Sequence, residues 1–311
     1  PPGQNDALHG PQAIGRSGCR VVPLASGVMK ILVTGANGML GQDVVAQLRA
    51  RGHEVTATDL PEVDITSASD CARSVEGHEA VVNTAAYTAV DAAEEHEGLA
   101  FRINALGPAV LARAAREAGA RMVHISTDYV FAGSATSPYA EDAPLAPQSA
   151  YGRTKAAGEW AVRAECPDSL IVRTAWLYGP GGPNFVKTMA ALAAQRDTVS
   201  VVDDQRGQPT STADLACYIA DLLGRKVPAG IYHGTSEGET TWWGFTRAIF
   251  EDLGLDPNRV LPTTSEAFIR PAPRPAYSVL GHERTEAVGV TLLPHWRAAL
   301  SATIAGVVGG A

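Results

Sequence analysis

The run Ile31-Leu32-Val33-Thr34-Gly35-Ala36-Asn37-Gly38-Met39-Leu40-Gly41 constrains the fold more than anything else in the chain. Apolar and β-branched residues lead into glycines that recur at every third position, and a helix-forming stretch over 42–51 follows. Between a strand and a helix each glycine has a separate use. Gly35 permits a sharp turn, Gly38 lets the backbone approach a pyrophosphate, and Gly41 lets helix and strand pack closely, with the helix N-terminus aimed at the phosphates. Glycines that only shape a tight turn are the plain alternative, and the flanking elements weigh against it. The expectation is a dinucleotide site whose loop is Gly35, Asn37, Gly38, Met39, Leu40 and Gly41.

The same alternation continues downstream. After a strand at 30–34, extended runs are expected at 53–59, 80–83, 121–126 and 169–174, and helices at 107–118 and 150–165. That is the sequence form of an α/β fold with a doubly wound parallel (Rossmann) sheet. Past Tyr178 the run Gly179-Pro180-Gly181-Gly182-Pro183 breaks the pattern, and proline-rich stretches follow up to Pro275. The predicted organisation is a dinucleotide-binding domain over 29–178 and a smaller, interleaved substrate-binding lobe over 179–311. Returns to the main sheet are expected near 212–233, as a helix at 212–223 and a strand at 230–233. Residues 1–28, rich in Gly, Pro and Ala, read as a leader or disordered tail ahead of Met29.

Bulk properties narrow the function. A chain of 311 residues that is 45% hydrophobic and 19% charged can bury a full core. A formal net charge of -8 provides no basic field for a nucleic acid. No apolar run is long enough to predict a membrane span. Cys19, Cys71, Cys166 and Cys217 are dispersed without a Cys-x-x-Cys pair, which argues against a disulfide framework or thiolate metal site and for a reducing, cytoplasmic setting.

Asp59 ends the second extended run, where a carboxylate binds adenosine ribose hydroxyls and repels a 2′-phosphate, so NADH is expected to serve at least as well as NADPH. Arginines folding in from elsewhere would restore NADPH. Asp64 and Ile65 are candidates to flank the adenine, with Asp64 as a helix N-cap the competing reading. Ala85, Ala86 and Tyr87 follow the third run, where backbone passes close to the cofactor. Tyr151 and Lys155 open a predicted helix, and their four-residue spacing puts phenol and ammonium on one face. A phenol with a pKa of roughly 10 exchanges protons poorly near neutrality, and an adjacent cation is expected to lower it. Lys155 is also expected to bind the nicotinamide ribose, so Tyr151 and Lys155 count among the cofactor-binding candidates. Thr127 closes the run before Asp128 at the carboxyl edge of the sheet, where ligands bind in such folds. Its hydroxyl suits hydrogen bonding to a carbonyl, unless Ser126 and Thr127 simply finish the strand.

The glycine motif, His124-Ile125-Ser126-Thr127-Asp128-Tyr129-Val130-Phe131, the Tyr151/Lys155 pair and the segment from Asn83 to Glu94 resemble the extended short-chain dehydrogenases/reductases. More narrowly, they are similar to the dTDP-4-dehydrorhamnose reductase family, as are the runs at 173–179, 204–210 and 274–280. The resemblance extends from Met29 to about Ile304. It implies reduction of a 4-keto group on a dTDP-6-deoxysugar with NADPH or NADH. Tyr151 would donate the proton, Lys155 would tune Tyr151, and Thr127 would hold the carbonyl. The same resemblance implies that Thr88, Val90, Asp128 and Trp176 contact the sugar; an indole suits a 6-methyl sugar, and core packing is its alternative. Arg206 and Arg274 are candidates for the pyrophosphate or for solvated surface positions. Some members dimerise through magnesium held by glutamates. Asp214 stands where one such ligand is expected and no others are matched, so no metal site is assigned and monomer or homodimer stays open. A 4,6-dehydratase needs an Asp-Glu pair, and Tyr129 follows Asp128 instead. A 4-epimerase and a non-catalytic nucleotide-binding subunit are the remaining alternatives.

Overall fold

The computed structural model describes residues 27–309, so the expected leader lies outside the described residues except for positions 27 and 28. Six strands form the central sheet: β1 (Lys30–Thr34), β2 (Glu54–Thr58), β3 (Ala80–Asn83), β4 (Arg121–Thr127), β5 (Leu170–Thr174) and β6 (Gly230–His233). Their order is β6-β5-β4-β3-β1-β2, and every neighbouring pair is parallel. The expected doubly wound sheet is therefore borne out. The chain leaves β1 to one side for β2 and returns to the other side for β3, which opens a crevice beyond the carboxyl ends of those strands.

The helices in chain order are α1 (Met39–Ala50), α2 (Ala68–Val75), α3 (Val90–Glu95), α4 (Glu97–Phe101) and, after a π-helical turn at Arg102–Leu106, α5 (Gly107–Glu117). Then come α6 (Ala150–Glu165), α7 (Phe185–Gln195), α8 (Thr212–Gly224), α9 (Trp242–Asp252), α10 (Glu283–Ala287) and α11 (Trp296–Val308). Side chains alternate between the two sheet faces. Ile31, Val33, Val82, Val123 and Val172 pack with Leu40 and Val44 of α1 and Leu215 and Ile219 of α8. Leu32, Val81, Met122 and Ile171 face Cys71 of α2, Leu111 of α5 and Val162 of α6. Burial of both faces is why these strands read as unbroken apolar runs.

A second core joins Val186 and Met189 of α7, Phe245 and Phe250 of α9, and Leu300 and Ile304 of α11. Between these segments α8 and β6 pack on the main sheet, so the two cores interleave along the chain.

α1 starts at Met39 and not at position 42, because the last glycine of the turn already belongs to its first turn. α2 was not anticipated: it is short and polar, and Ser67 caps it by accepting from the Asp70 N–H. Cys71 and Cys166 are free and buried. Cys217 is disulfide-bonded, which departs from the expectation that the dispersed cysteines argue against a disulfide framework, and Cys19 lies outside the described residues. Among the described residues no helix is long and apolar enough to cross a membrane. Nor is there a group of three or more His, Cys, Asp or Glu that could hold a metal ion.

Candidate active site

The glycine turn has the geometry its sequence demands. Gly35 has φ +71°, and a Cβ there would lie 2.5 Å from the Ala85 nitrogen, so the loop after β3 presses directly on the turn. At Gly41 a Cβ would stand 2.2 Å from the Gly35 carbonyl oxygen, closer than atoms can approach. The amino end of α1 has no side-chain cap and no acidic residue in its first turn. Its N–H groups are thus left for an anion, as a pyrophosphate would require.

The turn opens on a cavity of about 760 Å³. Gly35, Asn37, Gly38, Met39, Leu40 and Gly41 line one end. Asp59, Asp64, Ile65, Ala85 and Ala86 also line it. Both Asp59 oxygens are engaged, Oδ2 by the Asn37 N–H at 3.0 Å and Oδ1 by the Leu60 N–H at 2.8 Å, which fixes the carboxylate against the loop. Asp64 is not a helix cap: its Oδ1 accepts from the N–H and hydroxyl of Thr66, and Ser67 caps α2.

Thr88, Val90, Thr127, Asp128 and Trp176 line the same cavity, together with Tyr151 and Lys155. Trp176 holds a left-handed backbone, φ 46°. Its ring stacks on Trp242 with centroids 3.5 Å apart, and a Cβ at Gly207 would stand 2.6 Å from the indole. A strained backbone held in place by side-chain packing is a common setting of a ligand-facing residue.

Three expected residues lie elsewhere. The Tyr87 ring packs with Ala93, Ala100 and Tyr151. Its backbone is pinned by Asn104, whose Oδ1 accepts from the Tyr87 N–H at 2.8 Å and whose Nδ2 donates to the Tyr87 carbonyl and to Thr154. Arg206 pairs with Glu239 at 3.0 Å and Arg274 with Asp91 at 2.8 Å, and neither lines the cavity. Sequence reading missed Asn104. It also missed cavity-lining Ser126, Tyr129 and Ile103, the last on the π-helical turn.

The catalytic candidates converge at the carboxyl end of β4. Tyr151 sits in the first turn of α6, whose start is fixed by the Ser149 hydroxyl accepting from the Gly152 N–H. Its ring meets Tyr129 edge-on at 5.6 Å. Burial pushes the phenol up to about 12; the Thr127 hydroxyl works against that and the Asp128 charge adds to it. This corrects the expectation that Lys155 lowers the phenol. The ammonium instead donates to the Ile125 carbonyl at 2.6 Å, and burial lowers it to about 8 against the opposing pull of Glu159. Burial likewise raises Asp128 to about 6, and its neighbours oppose that shift. Tyr151 is therefore a phenol that keeps its proton near neutrality, which suits a donor.

The chain matches the family model described as the RmlD substrate binding domain over residues 29–308. It is 52% identical over 287 residues to a dTDP-4-dehydrorhamnose reductase of Streptomyces griseus, covering 90% of this chain and 94% of the other. It is 47% identical over 273 residues to a dTDP-4-keto-6-deoxy-D-glucose reductase of Streptomyces niveus, covering 87% and 94%. A solved dTDP-4-dehydrorhamnose reductase of Bacillus anthracis in complex with NADP is 38% identical and superposes with a TM-score of 0.85, covering 88% of this chain and 98% of that one. Fold, glycine turn and sequence agree along nearly the whole described length, and the chain belongs to the RmlD substrate binding domain family.

Proposed function

We propose that this protein reduces the 4-keto group of a dTDP-4-dehydro-6-deoxysugar, with dTDP-4-dehydro-L-rhamnose to dTDP-L-rhamnose as the first assignment. The observation that carries this reading is a single cavity with the uncapped glycine turn at one end and Thr127, Tyr151 and Trp176 at the other. A nicotinamide dinucleotide fits the first part, held at Gly35 to Gly41 with Asp59 beside the adenosine ribose, and when bound it supplies the hydride. As C4 is reduced, its carbonyl electron pair moves to the oxygen, and the Tyr151 phenol gives that oxygen its proton. Thr127 holds the same oxygen by a hydrogen bond, Lys155 provides positive charge on the Tyr151 face of α6, and Trp176 packs against the sugar.

The finer cofactor choice follows from Asp59. A partly exposed carboxylate beside a 2′-phosphate is worth roughly 1 kcal/mol of repulsion, so kcat/KM with NADPH should exceed that with NADH by no more than tenfold. Initial rates with both cofactors at fixed keto sugar check this, and a larger preference for NADPH would remove Asp59 as the discriminator.

A second reading keeps the chemistry and changes the sugar. The resemblance to the Streptomyces niveus reductase favours it. Both are separated by following NAD(P)H oxidation with dTDP-4-dehydro-6-deoxyglucose, with and without a 3,5-epimerase. Turnover only with the epimerase supports the rhamnose assignment, and turnover without it supports the alternative. No oxidation under either condition defeats the ketoreductase reading.

A further inference from the structure

Between Tyr178 and α7 the chain runs through Gly179-Pro180-Gly181-Gly182-Pro183, and Gly181, Gly182 and Pro183 line the cavity together with the glycine turn. Among the described residues no backbone hydrogen bond is made by 180–183. Side chains hold the segment instead. Asn184, the N-cap of α7, donates through Nδ2 to the carbonyls of Gly179 at 2.7 Å and Gly182 at 3.0 Å, and the Lys187 ammonium donates to the Pro180 carbonyl at 2.7 Å. Those three ties come from the α7 side. The remaining carbonyl, that of Gly181, accepts from Gln42 Nε2 of α1 at 3.0 Å. The same nitrogen donates to the Asn37 carbonyl of the glycine turn at 2.8 Å. An amide nitrogen carries two hydrogens, so Gln42 gives one to the turn and one to the loop.

The loop lies close against the first turn of α1. A Cβ on Gly181 would stand 3.0 Å from the Gln42 amide carbon, and one on Gly182 would stand 3.5 Å from Met39 Cβ. A weaker polar link joins Asn184 Nδ2 to the Met39 sulfur at 3.8 Å. Gln42 itself is solvent-exposed and does not line the cavity, so any effect it has on a ligand passes through the loop.

We propose that Gln42 is a positioning residue that latches the 179–183 loop to the glycine turn and so retains the bound dinucleotide. The inference rests on the dinucleotide reading of the cavity given above and adds to it what keeps that ligand in place. The uncapped amino end of α1 is where a pyrophosphate binds, and the latch closes the loop beside it. Without the Gln42 bonds, glycines at 181 and 182 give the segment the backbone freedom to swing out, while Asn184 and Lys187 keep its base on α7.

The test is NADPH binding followed by energy transfer from protein fluorescence, with dissociation timed by displacement with excess NADP+, which does not fluoresce. Gln42→Met keeps the length of the side chain and removes both donors. It should release NADPH about tenfold faster than the wild type and bind it correspondingly more weakly, the size expected for one or two net hydrogen bonds. Gln42→Lys supplies donors to both carbonyls and should bring the dissociation rate back to within about threefold of wild type. That comparison is made at about 0.5 M salt, where attraction between the added charge and the pyrophosphate is screened. In single turnovers at saturating NADPH, hydride transfer to the keto sugar in Gln42→Met should stay within about twofold of wild type, because the latch acts on retention and not on the chemical step. A wild-type dissociation rate in Gln42→Met overturns the proposal, as does a fast release that Gln42→Lys leaves uncorrected. A wild type that binds neither NADPH nor NADH overturns the dinucleotide reading and the latch together. One that binds NADPH with the expected pattern among the variants, yet reduces no keto sugar, supports the latch and defeats the ketoreductase reading alone.

Discussion

Tyr151→Phe should lower kcat for keto-sugar reduction by about a thousandfold, within the range of roughly 10² to 10⁴ that a general acid supplies. The substitution removes one oxygen and keeps the ring. The edge-on contact with Tyr129 and the packing on Ala93, Ala100 and Ala150 remain, so thermal stability should change by less than about 1 kcal/mol. Cofactor affinity should be nearly unchanged, because the glycine turn and Asp59 lie at the other end of the cavity. The lost oxygen is the one whose proton burial retains up to about pH 12. Steady-state kinetics together with NADPH titration by protein fluorescence separate these effects. A variant keeping more than a tenth of wild-type kcat would mean the proton comes from another group. One that lost NADPH binding in parallel would mean the phenol acts on the cofactor.

The sheet was legible because its strands are buried on both faces. Ile31 to Thr34, Ala80 to Asn83 and Leu170 to Thr174 show almost no exposure, and such positions must be apolar or β-branched. The turn was legible for a stronger reason: at Gly35 and Gly41 no other residue fits, so backbone geometry is written directly into residue identity. What sequence periodicity gives for Tyr151 and Lys155 is a shared helix face, and both do line the cavity. It does not give the hydrogen-bond partner of the ammonium, which is a carbonyl on β4. The direction of the Tyr151 shift was lost with it. Asn104 escaped notice because it lies on a π-helical turn, where the 3.6-residue repeat that reveals a helix face fails. Arg206 and Arg274 were visible as charges, but each is held by a carboxylate far away in sequence, Glu239 and Asp91, and long-range pairs leave no local pattern. In the second core α7, α9 and α11 bury their apolar faces against one another. Their partners are far apart in the chain, so no one segment announced that core.

Glu159→Leu and Arg173→Met should each destabilise the protein by about 3–5 kcal/mol, while the double variant should recover most of the loss. Both side chains are only 1% exposed. Arg173 makes two parallel bonds to Glu159, at 2.9 and 2.7 Å, and a third to the Glu141 carbonyl at 3.0 Å. Its guanidinium also lies over the Phe131 ring at 4.8 Å. Removing one partner strands a full charge away from water, whereas removing both replaces an ion pair by apolar contacts of similar volume. Denaturant unfolding of the four proteins gives the coupling directly, and single losses below about 1 kcal/mol would mean that water reaches the pair. The double variant also tests whether this pair reaches the active site. Glu159 is two turns along α6 from Tyr151 and one from Lys155, and it accepts from the cavity-lining Ser126 hydroxyl at 2.5 Å. Two successive residues at the end of β4 thus meet one face of α6. The Ile125 carbonyl accepts from Lys155, and the Ser126 hydroxyl donates to Glu159. If that register orders the site, the double variant will fold and bind NADPH, yet its kcat will fall by about tenfold or more as β4 and α6 lose the Ser126–Glu159 bond. A stable double variant with wild-type kcat would confine the pair to stability.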